Sequence, residues 1–276
     1  MMNTKRIILL GDGWGAHSAY KGLLSMGKPV YVISQDNFFK DNVLNISLDE
    51  CEKDLLVFAG YKPIVPESVL GKNICINIHY SLLPQYRGFH STVWAILNGE
   101  KYLGLTVHLM DKYIDNGPII HQYKVENDFK STSTDYMNQF NLYIENHLGS
   151  IIQEYLQGQT NLIIQDKKAA SWVGKRNLQD CKIDFSQSIE YQKAFFRALV
   201  SPYPLPYIVF RGEKLIVRQV AYYESSIKTH IGRILNIDEE GIWVKIFDGY
   251  IILQKIQNEY GDEVSHDSFK IGQYLE

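Results

Sequence analysis

Arg6-Ile7-Ile8-Leu9-Leu10-Gly11-Asp12-Gly13-Trp14-Gly15-Ala16, residues 6–16, reads as a buried strand that runs into a glycine-rich turn opening a helix. Working outward, Val30–Ser34, Leu55–Ala59 and Ile74–His79 are apolar runs of the same kind. Helix-length segments separate them, and that alternation predicts a mostly parallel sheet flanked by helices, an α/β fold. A helix from about Ser91 to Asn98 is stopped by Gly99, and Gly104–Met110 follows as a strand. Between Thr134 and Gln157, Met137, Phe140, Ile144, Leu148, Ile151 and Tyr155 recur at three- and four-residue steps, which predicts one long amphipathic helix closed by Gly158.

Beyond that helix the pattern changes. Ser171–Ser188 is polar and turn-rich, Ile189–Leu199 reads as a short helix, and Ser-Pro-Tyr-Pro-Leu-Pro at 201–206 cannot continue it. Tyr207–Phe210, Leu215–Tyr222, Gly232–Ile237, Gly241–Phe247 and Tyr250–Ile256 are short strands at close spacing, which predicts a small β-barrel or β-rich appendage. The chain thus divides into a catalytic domain over residues 1–185, a connecting helix and proline-rich linker over 186–206, and a β-rich domain over 207–276.

The 276 residues are 45% apolar, enough for a substantial core, and carry a net charge of -3. With no concentrated Lys and Arg, there is no electrostatic case for a nucleic-acid partner. Cys51, Cys75 and Cys181 are odd in number and far apart, neither a disulfide framework nor a zinc pattern. No metal site is expected. The four apolar residues Ile7–Leu10 after Lys5-Arg6 are too few for a secretory core, and no run could span a bilayer, so a cytoplasmic location without membrane attachment is expected.

The chemistry concentrates in Ile76-Asn77-Ile78-His79-Tyr80-Ser81-Leu82-Leu83-Pro84-Gln85-Tyr86-Arg87-Gly88. Residues two apart on a strand share a face, so Asn77 and His79 project together at a strand's C-terminal end, where open α/β sheets place ligands. An amide can hydrogen-bond an oxyanion and an imidazole can handle a proton, which suits acyl transfer. Asp115 follows in the turn before Asn116-Gly117-Pro118; spacing alone does not bring it to His79.

These residues resemble the folate-dependent formyltransferases. The family pattern Asn-x-His-x-Ser-Leu-Leu-Pro, then Gly, then a Gly-x-Thr strand, then Asp-x-Gly is met by Asn77, His79, Ser81-Leu82-Leu83-Pro84, Gly88, Gly104-Leu105-Thr106 and Asp115-Asn116-Gly117. The resemblance implies a Rossmann-like catalytic domain with a C-terminal OB-like barrel, and 10-formyltetrahydrofolate as formyl donor. It implies that Asn77 stabilises the oxyanion, that His79 assists and manages protons, and that Asp115 orients His79 and accepts a proton from the attacking amine. Ser81, Leu82, Leu83, Pro84, Arg87 and Gly88, with Met110, Ile114 and Gly117, would wall the folate pocket. His108 is read as a packed residue.

Gly11-Asp12-Gly13-Trp14-Gly15-Ala16 also fits the dinucleotide fingerprint, with Asp36 where a ribose-binding acid could sit, and an NAD-dependent oxidoreductase is one alternative. The turn is read here as a site for a substrate phosphate, held by Gly13, Trp14 and Gly15, or as a structural turn. Among family branches, Ser171-Trp172-Val173-Gly174-Lys175-Arg176 and Pro202-Tyr203-Pro204 look like the two larger ones. The missing basic cluster and the short chain set methionyl-tRNA formyltransferase second to the nucleotide-sugar N-formyltransferases. The implied acceptor is a nucleotide-linked amino-dideoxy sugar of the 4-amino-4,6-dideoxyhexose type, used in bacterial surface polysaccharides; an amine at carbon 3 stays open. Lys62 and Arg197 are candidate diphosphate partners, Trp172 a nucleobase stacker, and a homodimer is the family-based expectation.

Overall fold

The computed structural model describes residues 4–39 and 42–275. It resolves into two compact units. The first comprises the chain up to Ala95, Lys101–Asn127 and Asp135–Lys175; the second comprises Ile96–Glu100, Asp128–Thr134 and the chain from Arg176 on.

In the first unit β1 (Ile7–Leu10) leads into α1 (Gly13–Leu24), followed by β2 (Val30–Ile33), β3 (Leu55–Ala59), α2 (Glu67–Leu70) and β4 (Ile74–His79). The two-residue β5 (Arg87–Gly88) precedes α3 (Ser91–Leu97), β6 (Tyr102–Leu109), β7 (Ile119–Glu126) and α4 (Ser133–Leu156), and β8 (Trp172–Val173) pairs with β5. The sheet order is β2-β1-β3-β4-β6-β7, parallel from β2 to β4 and antiparallel at β4–β6 and β6–β7. Every residue of the inner strands β1 and β3 is buried, as expected where helices cover both faces. Each fully buried Leu or Ile there contributes roughly 1.5–3 kcal/mol. The sheet is mostly parallel, as the sequence predicts; β7 is the strand that the sequence reading leaves out. It lies at the sheet edge with only its first two residues buried, so it carries no continuous apolar run.

Helices α1 and α4 meet through two glycines. A Cβ on Gly22 would lie 2.5 Å from the Ile144 carbonyl oxygen, and one on Gly149 would lie 2.7 Å from that of Gly22. The buried face of α1, Ala16, Ala19, Gly22 and Leu23, is small for the same reason.

In the second unit α5 (Ile189–Ala198) is capped by the Ser188 hydroxyl, which accepts from the Tyr191 N–H at 3.2 Å. It precedes β9 (Tyr207–Phe210), β10 (Glu213–Glu224), β11 (Ile234–Asp238), β12 (Gly241–Ile246) and β13 (Gly249–Gln257). These five strands form an antiparallel sheet in the order β11-β12-β13-β10-β9, around a core that includes Ile234, Ile242, Val244, Ile251 and Leu253. Among the described residues no ladder joins β9 to β11. No helix among the described residues is long and apolar enough to cross a membrane.

Candidate active site

Antiparallel pairing sets Asn77 of β4 opposite His108 of β6, and His79 opposite Thr106. The turn after β6 then folds back over this corner. Asp111 shapes it by accepting from the Tyr113 N–H at 2.8 Å and from Asn116 Nδ2 at 2.5 Å. Asp115 sits in it at φ 51°, a left-handed conformation in which Asp is among the better-tolerated non-glycine residues. Gly117 lies against the Leu109 carbonyl with no room for a side chain.

The Asp115 carboxylate gathers the corner. Its Oδ2 accepts from the Gly88 N–H at 2.8 Å and lies 3.5 Å from His79 Nδ1; its Oδ1 accepts from Asn77 Nδ2 at 3.2 Å and lies 3.6 Å from His108 Nε2. His79 and His108 are 7% and 1% exposed, so these contacts are little screened by water.

Two carbonyls settle the imidazole tautomers. The Tyr86 oxygen lies 2.8 Å from His79 Nε2, and a carbonyl only accepts, so Nε2 carries the proton. Nδ1 then faces Asp115 as the basic nitrogen. The Leu109 oxygen, 2.7 Å from His108 Nδ1, likewise places that proton on Nδ1 and leaves Nε2 to accept from Asn77 Nδ2 at 3.2 Å. Asn77 therefore directs one amide hydrogen to His108 and the other to Asp115.

Burial lowers the pKa of His79 below 6.5, against the opposing pull of Asp115. Burial pushes the Asp115 carboxyl up, but His79, His108 and the Gly88 N–H overcome it and hold the group at about 2. At neutral pH the corner is a carboxylate beside a neutral imidazole with a free basic nitrogen.

The Ser-Leu-Leu-Pro segment is pinned beside it by Thr106, which is fully buried. The Thr106 hydroxyl donates to the Ser81 carbonyl at 2.6 Å and accepts from the Leu83 N–H at 3.1 Å and from Gln122 Nε2 at 2.9 Å. Ser81 and Leu83 are buried, Leu82 and Pro84 half-buried. Across the corner Ile114 is 61% exposed, while Met110 packs against the core of the sheet.

Comparison with known proteins decides the family. A model described as Formyl transferase matches residues 21–151, and one described as Formyl transferase, C-terminal domain, matches residues 176–274. A methionyl-tRNA formyltransferase of Blochmanniella pennsylvanica is 30% identical over 274 residues, covering 93% of this chain and 83% of that protein.

This chain belongs to the formyl transferase family.

Two solved structures share the fold of this formyl transferase. An N-formyltransferase from Helicobacter canadensis, in complex with folinic acid and dTDP-3-aminofucose, aligns with TM-score 0.71 at 23% identity, covering 91% of this chain and 99% of its own. WlaRD, a sugar 3N-formyl transferase in the presence of dTDP and 5-N-formyl-THF, aligns with TM-score 0.72 at 23% identity, covering 91% and 98%.

Other residues singled out in the sequence fall in several places. The guanidinium of Arg87 turns inward: the residue is 4% exposed, Nη1 donates to Asn116 Oδ1 at 3.1 Å and Nη2 to Gln165 Oε1 at 2.7 Å. Trp172 is 66% exposed, with the Arg87 guanidinium 5.7 Å from its ring centroid. In the glycine-rich turn the Gly13 N–H donates to Asp36 Oδ2 at 3.0 Å, and His17 Nε2 meets the same oxygen at 2.7 Å. Asp36, read as a ribose-binding acid, thus closes the turn from within. The Phe38 and Gly13 N–H groups and His17 hold its carboxyl at about 2. Trp14 is exposed, and a Cβ on Gly15 would lie 2.6 Å from the Tyr80 hydroxyl. Lys62 is exposed in the loop after β3. Arg197 belongs to the second unit, where Nη1 donates to the Ser131 carbonyl at 2.8 Å.

Two residues of this corner were not assigned to it from sequence. His108, read as packed, touches both Asn77 and Asp115; its two-residue spacing from Thr106 on the neighbouring strand was the available signal. Gln165 ends the apolar run Leu162-Ile163-Ile164 with nothing in the local pattern to mark it.

Proposed function

We propose that this formyl transferase moves a formyl group from 10-formyltetrahydrofolate to the primary amine of a nucleotide-linked amino-dideoxy sugar, with Asn77, His79 and Asp115 as the working groups. The observation that carries the reading is the Asp115 carboxylate bound between Asn77 and His79 in a member of this family.

The donor brings an activated formyl carbon. The half-buried Leu82 and Pro84 and the exposed Ile114 offer apolar surface suited to a flat folate ring, and Met110 backs them from the core. The acceptor amine must be uncharged to attack, and His79 Nδ1 is positioned to take the proton it sheds, with Asp115 stabilising the resulting imidazolium. A new C–N bond forms as the old one breaks, and the proton held at His79 returns to the departing nitrogen. Asn77 exchanges one of its two internal hydrogen bonds for the carbonyl oxygen as negative charge grows there.

A nucleotide sugar is favoured as acceptor by the two solved sugar formyltransferases, which this chain matches over nearly their whole length. The net charge of -3 points the same way, because a tRNA-binding surface needs concentrated cations. Lys62 and the exposed face of Trp172 are the groups offered to diphosphate and base. The tRNA reading draws on the 30% identity to a methionyl-tRNA formyltransferase. Incubation with 10-formyltetrahydrofolate and either a panel of dTDP- and UDP-linked 3- and 4-amino sugars or charged initiator tRNA separates the two. Formylation of a sugar amine, read by mass, supports the proposal; formylation of the tRNA alone overturns it.

A further inference from the structure

The side chain of Gln165 lies beneath the Asp115 turn, 7% exposed, and uses its amide on both sides. Nε2 donates to the Asp115 carbonyl at 2.9 Å and to the Gly117 carbonyl at 2.8 Å, while Oε1 accepts from Arg87 Nη2 at 2.7 Å. Arg87 completes the loop by donating to Asn116 Oδ1 at 3.1 Å. Three consecutive turn residues are thereby tied to one buried amide–guanidinium pair. The next residue after Arg87 is Gly88, whose N–H holds the Asp115 carboxylate itself.

From this geometry we infer that Gln165 is a positioning residue for formyl transfer: with Arg87 it fixes the backbone of Asp115 so that the carboxylate stays on His79 and Asn77. The inference rests on the proposed role of Asp115. A left-handed non-glycine backbone persists only where its surroundings hold it, and two carbonyl acceptors on one amide provide that hold. An amide alone fits the position. A carboxylate could still accept from Arg87 but would face two carbonyl oxygens with no hydrogen to offer, and an apolar side chain would take from the two carbonyls their donor and from Arg87 Nη2 its acceptor. Displacement of a reacting group by about an ångström costs up to about a hundredfold in rate.

The test has two arms. In the first, amide hydrogen exchange is followed in the full-length protein and in Gln165→Leu, with Asp115→Ala as reference. The expected result is that Gly88 protection falls at least about tenfold in Gln165→Leu, as in Asp115→Ala, while amides of β1 and β3 keep theirs. Gly88 protection within twofold of the parent, in a folded variant, overturns the inference. In the second arm, single-turnover formyl transfer is measured for Gln165→Leu in the parent and in an Asp115→Asn background. A tenfold or greater loss in the parent with less than about twofold in Asp115→Asn supports action through Asp115. Equal losses in both backgrounds overturn it. If Gln165→Leu does not fold, Asn116→Ala, which removes one Arg87 bond, is put through the same exchange measurement, judged by the same outcomes. Should the parent transfer formyl to no amine offered, the proposed function falls, and the exchange arm still decides whether Gln165 holds the turn.

Discussion

Asn77 and Asp115 are joined by a 3.2 Å hydrogen bond in which the amide is the donor, and the second amide hydrogen of Asn77 goes to His108. Both amide hydrogens of Asn77 are therefore engaged in the resting corner, so the oxyanion role proposed for it requires an exchange of partners. A carbonyl oxygen arriving at Asn77 replaces an existing partner, so a hydrogen bond to growing negative charge is gained against the loss of one already present.

Asp115→Asn keeps the size of the side chain but ends its ability to accept from both the Gly88 N–H and the Asn77 amide. Its amide nitrogen would face the Gly88 N–H or the Asn77 amide, donor against donor. Loss of the carboxylate that stabilises the His79 imidazolium, together with its orienting bonds, should lower kcat by about a hundredfold or more. The KM for 10-formyltetrahydrofolate should stay within about threefold, and steady-state kinetics on the accepted amine checks both.

Stability falls on acidification in two stages. Unfolded, Asp115 binds a proton near 3.8; folded, it is held at about 2. Its contribution, about 2 kcal/mol, is complete above pH 3.8 and is lost as pH falls through about 2. The pKa of His79 is lowered below 6.5 on folding, so the unfolded chain takes up that proton first and stability declines as pH drops below 6.5. Calorimetric Tm values from pH 8 downward should show both stages. In Asp115→Asn the lower one should shrink, and an equally steep decline below pH 4 would contradict the assignment.

Gly149→Ala should destabilise without altering chemistry. The added methyl meets the Gly22 carbonyl and the Ser25 hydroxyl and forces α1 and α4 apart. Overpacking of this kind costs about 1–3 kcal/mol. Urea denaturation should show the loss, with kcat unchanged at temperatures where the variant is folded.

Gly13→Ala distinguishes the two readings of the glycine-rich turn. There is open space around a Cβ at Gly13, so the cost is confined to its positive φ of 74°, about 1 kcal/mol. With the Gly13 N–H already on Asp36, affinity for a nucleotide sugar should be unchanged by calorimetry. A fall of fivefold or more would place the substrate phosphate on this turn.

Most of the architecture can be read from the chain because burial on both faces of β1 and β3 leaves unbroken apolar runs, and because α4 repeats its apolar face at helical spacing. The edge strand β7 escapes for the opposite reason. Asn77 and His79 are legible from strand alternation and motif. The convergence of Asp115, His108 and Gln165 on them is not, because it depends on an antiparallel register and a returning turn that link residues up to 88 positions apart, from Asn77 to Gln165. Arg87 falls within the segment expected to wall the folate pocket, and its terminal nitrogens bond Asn116 and Gln165, partners that no motif announces.

The carboxylate at the centre of the site is carried by the β6–β7 hairpin, whose strands are joined by the short stretch 110–118. The parallel neighbours, by contrast, can pair only across long crossovers. Closing a short connection costs little chain entropy, so the segment bearing Asp115 can open and re-form without the parallel strands having to find one another again.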